Sequence, residues 1–148
     1  MRPIGCNMEI CYQENGLTAE GYLAFQRKMG WPQDPRAQIE KSLAHTIVSI
    51  VAINDGEIVG MGRLLGDAAI YWYMNDVFIL TAYQGRGIGT QIVKRLIAYV
   101  KANSLPGTSV SLYLFSAQGK EGFYERLGFR RRPHEGEGAG MELEIDVG

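Results

Sequence analysis

Val77-Phe78-Ile79-Leu80 runs into Gln84-Gly85-Arg86-Gly87-Ile88-Gly89, and an amphipathic stretch follows from Thr90 to Lys101. The first segment, β-branched and aromatic, reads as a buried strand. In the last, Ile92, Val93, Leu96, Ile97 and Val100 recur at helical spacing, with Lys94, Arg95 and Lys101 on the other face. A strand that turns through glycines into a helix start aims several backbone N–H groups at one point, where the helix dipole favours phosphate. The same glycines also suit a tight strand-to-helix connection that binds nothing.

Glycine spacing decides among phosphate loops. No Gly-Lys-Ser or Gly-Lys-Thr occurs, which excludes a P-loop. A dinucleotide fingerprint needs Gly-x-Gly-x-x-Gly, but the third position is Thr90 counted from Gly85 and Ile92 counted from Gly87. The next strand, Ser109 to Phe115, also lacks the terminal acid that would hold a ribose.

Gln84-x-x-Gly87-x-Gly89 instead resembles the Gln/Arg-x-x-Gly-x-Gly/Ala signature of the GNAT superfamily of N-acetyltransferases, whose cofactor is acetyl-coenzyme A. Downstream, Leu112-Tyr113-Leu114-Phe115 and Gly122-Phe123-Tyr124-Glu125-Arg126-Leu127-Gly128-Phe129 are similar to the next motif of that family. The resemblance covers Glu57 to the end of the chain. Thr81 stands where the family has a proline between strand and loop.

The chain has 148 residues, 21% charged and 46% hydrophobic, with formal net charge −1. That suits one domain, 1–148, with a genuine core. The charge gives no nucleic-acid footprint. The longest uncharged apolar stretch, Thr46 to Ile53, is too short for a membrane span, and the N-terminus lacks a signal-peptide pattern. Cys6 and Cys11 have no metal spacing and read as ordinary thiols, so no metal and a cytoplasmic location are expected.

Local signals order the elements. Met8 to Gln13 reads as a strand, and Thr18 caps a helix with Tyr22, Phe25 and Met29 on one face, ended by Gly30-Trp31-Pro32. Asp34 as N-cap and Pro35 at the first helical position open a second helix to about Ala44. His45 to Ile53 and Glu57 to Leu65 form a hairpin through Asn54-Asp55-Gly56. Ala69 to Leu80 is a long strand, Gly87 to Ala102 the central helix, Ser109 to Phe115 a strand and Lys120 to Leu127 a short helix. Phe129 to Arg132 and Ala139 to Asp146 read as a last hairpin. The expected class is α/β of the α+β kind. Its central sheet is mixed, mostly antiparallel and of about seven strands, with about four helices. The resemblance implies that this sheet is splayed at the cofactor slot.

Acetyl transfer to an amine forms a C–N bond and breaks a C–S bond. The amine must lose a proton and the thiolate must gain one. The N–H groups of Gly85, Arg86, Gly87, Ile88, Gly89 and Thr90, beside Gln84, suit a pyrophosphate. By resemblance, the backbone of Val77, Phe78 and Ile79 pairs with the pantetheine amides as an added strand would. Resemblance also makes Tyr124 the general acid; beside Phe123 it equally suits core packing. Asp76 is the candidate base, with a solvated or capping carboxylate as its alternative. His45 and His134, without a partnering acid nearby, read as structural. Trp31, Tyr71 and Tyr73 are candidates to wall an acceptor pocket or hold a cation, with Trp31 equally suited to packing under its turn.

The expected function is therefore N-acetyltransfer from acetyl-coenzyme A to a primary amine of a small molecule, by direct transfer. A non-catalytic acyl-coenzyme A binding module and a protein or peptide acetyltransferase stand as alternatives. A final strand at a sheet edge would suit a homodimer.

Overall fold

The computed structural model describes residues 10–148. Cys6, with Met8 and Glu9 of the expected first strand, lies outside these residues. The elements run β1 (Cys11–Glu14), α1 (Ala19–Met29), α2 (Arg36–Ala44), β2 (Val48–Asn54), β3 (Glu57–Gly66), β4 (Tyr71–Ile79), a 3-10 turn (Thr81–Tyr83), α3 (Ile88–Asn103), β5 (Ser111–Tyr113) and α4 (Glu121–Arg126). By internal contacts the chain forms two compact units, one ending at Leu114 and the other Phe115–Gly148.

In the larger unit the strands lie in the order β1-β2-β3-β4-β5, the first three pairings antiparallel and the last parallel. The β2–β3 hairpin closes on Asp55 (φ 48°) and Gly56 (φ 76°), the two left-handed positions a two-residue turn needs to follow the strand twist. The buried side of α3 (Ile88, Ile92, Val93, Leu96 and Val100) packs on the sheet. Gly60 and Gly62 let it come close. A Cβ on Gly62 would stand 2.7 Å from Ile92 Cγ2, and one on Gly60 3.1 Å from Ile88 Cγ2. Helices α1 and α2 pack on each other, and α1 also packs on β3.

The helix signals hold. Thr18 Oγ1 accepts from Gly21 N at 3.1 Å, and Gly30 ends α1 at φ 70°. At α2 the cap shifts by one residue: Pro35 is the N-cap and Arg36 the first helical residue. Asp34 does not cap, because its carboxylate accepts from Gln26 Nε2 instead. Cys11 is disulfide-bonded, not the free thiol expected from its spacing.

Among the described residues the sheet has five strands rather than seven, and β5 is shorter than Ser109 to Phe115. The last hairpin, Phe129 to Arg132 with Ala139 to Asp146, does not form among the described residues. A single bridge joins His134 to Glu137, and Arg132 is occupied by Glu137 Oε2 and the Gly138 carbonyl. Met141, Leu143, Ile145 and Val147 alternate as a strand would, yet are 87, 83, 71 and 92% exposed. Alternation is a local property, but a strand also needs a backbone partner, and none pairs with this segment among the described residues.

Candidate active site

One extra residue on β4 creates the site. Met61 pairs with Phe78 and Arg63 with Asn75, so Asp76 and Val77 together face Gly62 across a β-bulge. Asp76 sits there at φ 53°, a left-handed conformation that Asp and Asn tolerate better than most residues. Tertiary contacts hold it. Its Oδ2 accepts from Arg63 Nε at 2.7 Å and from Tyr22 Oη at 3.1 Å. Arg63, only 8% exposed, also donates through Nη1 to Ser42 Oγ at 2.9 Å and Thr46 Oγ1 at 3.0 Å. Burial, then the Asp76 charge and hydrogen bond, push the Tyr22 phenol up to about 12.

Ahead of the bulge β4 leaves its parallel neighbour. Pairing with β5 covers Tyr71, Trp72 and Tyr73 and then stops, so Met74 to Ile79 have no strand partner on that side among the described residues. Val77, Phe78 and Ile79 therefore present a backbone edge to an opening between β4 and β5. Parallel strands that part in this way leave room for an extended ligand to pair with main chain.

The glycine turn stands at the end of that edge. Gly85 (φ 77°) and Gly87 (φ 82°) are left-handed, and Gly87 caps α3 without any side-chain hydrogen bond. The first α3 amide in use is Gln91 N, donating to Gly87 O at 3.1 Å. The amides of Gly85, Arg86, Gly87, Ile88, Gly89 and Thr90 have no acceptor among the described residues. Six consecutive free donors at a helix start form an anion cradle, and they fit the pyrophosphate of a coenzyme A. Gln84 works internally: its Nε2 donates to Ile79 O at 3.1 Å, clipping the turn to the strand end. The Arg86 guanidinium lies over the Tyr83 ring, 5.0 Å from its centroid.

The aromatic candidates separate. Trp31 packs edge-on against Phe78 at 4.7 Å and near Phe25 at 6.1 Å, at the bulge end of β4. Tyr71 and Tyr73 stand at the opposite end, with Tyr73 5.4 Å from Tyr113. Tyr124 lies on α4 in the smaller unit, edge-on to Phe123 at 5.0 Å and Phe129 at 5.7 Å, and burial raises its phenol above the ordinary value. The sequence reading missed Arg63 and Tyr22. A lone arginine inside the apolar run of β3 was the available signal, since a charge at such a position needs a buried partner.

Fold and site together define the class: an α+β domain with an unpaired strand edge beside a glycine turn of free amides. A model of the Acetyltransferase (GNAT) domain matches residues 45–131. A histone acetyltransferase, TAP1, of Glycine max is 25% identical over 143 residues, covering 88% of this chain and 60% of that protein. An uncharacterized N-acetyltransferase, ycf52, of Porphyra purpurea is 28% identical over 109 residues, covering 71% and 60%. Among solved structures, the probable acetyltransferase SA2161 of meticillin-resistant Staphylococcus aureus superposes with TM-score 0.78 at 26% identity, covering 92% of this chain and 99% of that one. The chain belongs to the GNAT acetyltransferase family. It spans 60% of the length of these two curated relatives.

Proposed function

We propose that the chain moves an acetyl group from acetyl-coenzyme A directly to a primary amine of a small molecule. The observation that supports this most is the parting of β4 from β5 after Tyr73, beside the free amides of Gly85 to Thr90. Bound there, acetyl-coenzyme A supplies an activated thioester. The turn amides hold its pyrophosphate, and the Val77–Ile79 edge orients its amide-bearing arm. A backbone N–H of that edge polarises the carbonyl oxygen.

Asp76 keeps the bulge in place through Arg63 and Tyr22, and its Oδ1, free of hydrogen bonds among the described residues, takes the proton of the amine. Tyr124, in the smaller unit, is the acid that the family resemblance implies, and burial helps keep its phenol protonated at Oη. Trp31 walls the acceptor side against Phe78.

Coenzyme A release with a panel of primary amines tests the proposal. Release that depends on the amine and falls in Tyr124→Phe supports it. Coenzyme A binding without release for any amine leaves a binding module. The soybean relative, named a histone acetyltransferase, motivates a second arm with histone-tail peptides. Acetylation of peptides in preference to free amines would move the acceptor to protein.

A further inference from the structure

Asn54 ends β2 just ahead of the Asp55-Gly56 turn, and Tyr83 ends the 3-10 turn just ahead of the glycines. The two are 29 residues apart, yet Asn54 Nδ2 donates to Tyr83 Oη at 2.7 Å in a half-buried setting. The pairing of Gly60 with Ile79, and the Leu80 amide on the Val59 carbonyl, bring the hairpin end beside the root of the glycine turn. We propose that Asn54 and Tyr83 are positioning residues for coenzyme A, holding the Arg86 guanidinium ready for one of its phosphates. This rests on the cofactor reading above and adds side chains to a cradle otherwise made of backbone amides.

Arg86 stands where such help matters. Its own amide is one of the free donors, so its side chain starts inside the cradle. Its neighbours Gly85 and Gly87 have no side chains to pack against it. It is exposed, and no carboxylate pairs with it among the described residues. The contact that locates it is the Tyr83 ring, with the guanidinium carbon 5.0 Å from the centroid. Stacking uses the flat face of a guanidinium and leaves the N–H groups on its edge for phosphate oxygens. A mobile arginine loses much rotamer freedom when it binds. One already laid on a ring loses less, and the difference appears as affinity.

The ring must itself be held for this to work. Its backbone is fixed by the Tyr83 amide donating to Leu80 O at 2.8 Å, and its hydroxyl end by Asn54. Asn54 in turn sits in the closing pair of the hairpin, opposite Glu57. The support therefore runs from the rigid sheet through one hydrogen bond and one ring to the cation beside the amides.

Calorimetric titration of coenzyme A into the full chain tests this without turnover. Tyr83→Phe keeps the ring and removes the hydroxyl, and Asn54→Ala removes the donor. Each should weaken coenzyme A about threefold, and the pair together no more than either alone. Arg86→Ala should weaken it about tenfold. In the Arg86→Ala background the other two substitutions should then have no further effect, because nothing is left to position. A loss of equal size with and without Arg86 would make the pair merely structural and overturn the proposal. Unchanged affinity in any of the single variants does the same. If a thermal melt shows that Asn54→Ala does not fold, Tyr83→Phe carries the comparison alone. Dephospho-coenzyme A, which lacks the ribose phosphate, locates the contact. An Arg86→Ala loss that persists with it assigns the pyrophosphate, and one that disappears assigns the ribose phosphate. No coenzyme A binding by the wild type overturns the cofactor reading and this proposal together. Binding without acetyl transfer to any amine overturns only the transferase reading and leaves the positioning standing.

Discussion

Arg63 Nε and Asp76 Oδ2 meet at 2.7 Å across the bulge that turns β4 toward the glycine turn. The Arg63 side chain is 9% exposed and that of Asp76 18%, so neither charge is well solvated without the other. Asp76→Ala leaves the guanidinium unpaired in the interior and puts alanine at φ 53°. The expected loss is about 3 kcal/mol of unfolding free energy in urea titration. Asp76→Asn tolerates the left-handed backbone and keeps an acceptor, so it should cost distinctly less. Equal losses would mean that the bulge does not depend on the backbone preference of residue 76.

Gly62 is the contact point between β3 and α3. A Cβ there meets Ile92 Cγ2 at 2.7 Å and Leu96 Cδ1 at 3.1 Å, inside a packed layer. Gly62→Ala should destabilise by about 1–3 kcal/mol, read as a lower urea midpoint with unchanged slope. A neutral result would show that α3 lifts off the sheet without cost.

Gly87 differs in kind, because a Cβ there meets nothing within 4 Å while φ is 82°. The cost of Gly87→Ala is therefore conformational, about 1–2 kcal/mol, and falls on the turn that orients the amides. Coenzyme A affinity measured by calorimetry should fall about tenfold or more, with a melting temperature lower by a few degrees. A fall in stability without a fall in affinity would detach the turn from cofactor binding.

The Tyr22 phenol is pushed from 10.0 up to about 12, by burial first and then by Asp76. A group that holds its proton more tightly when folded adds stability that is complete below the unfolded value. That stability is lost as pH rises through the folded value. Between about pH 10 and pH 12 the wild type should lose stability relative to Tyr22→Phe. Tyr12 and Tyr124, also raised, are common to both proteins and cancel in the difference. Parallel stability curves over that window would contradict the Tyr22–Asp76 bond.

Tyr124→Phe removes only a hydroxyl from a ring packed between Phe123 and Phe129. If the phenol supplies the proton to sulfur, kcat should fall about 100-fold with coenzyme A affinity retained. An unchanged kcat would return Tyr124 to packing.

Helix α3, the caps at Thr18 and Gly30 and the Asp55-Gly56 turn were legible because each depends on neighbours within a few residues. The glycine turn was legible for the same reason, since left-handed backbone at Gly85 and Gly87 is a residue-level property. The last hairpin misled for the complementary reason. Its alternation at Met141, Leu143, Ile145 and Val147 is local, while strand pairing is not.

The amino-acid order alone thus determined the helices, the tight turns and the phosphate-type cradle, all products of short-range backbone preference. Only the tertiary structure decided where β4 bulges, where it parts from β5, and that Arg63, Tyr22 and Asp76 meet. Those relationships join residues 13 to 54 positions apart. No local periodicity encodes such distances; packing of strands and helices on a common core imposes them.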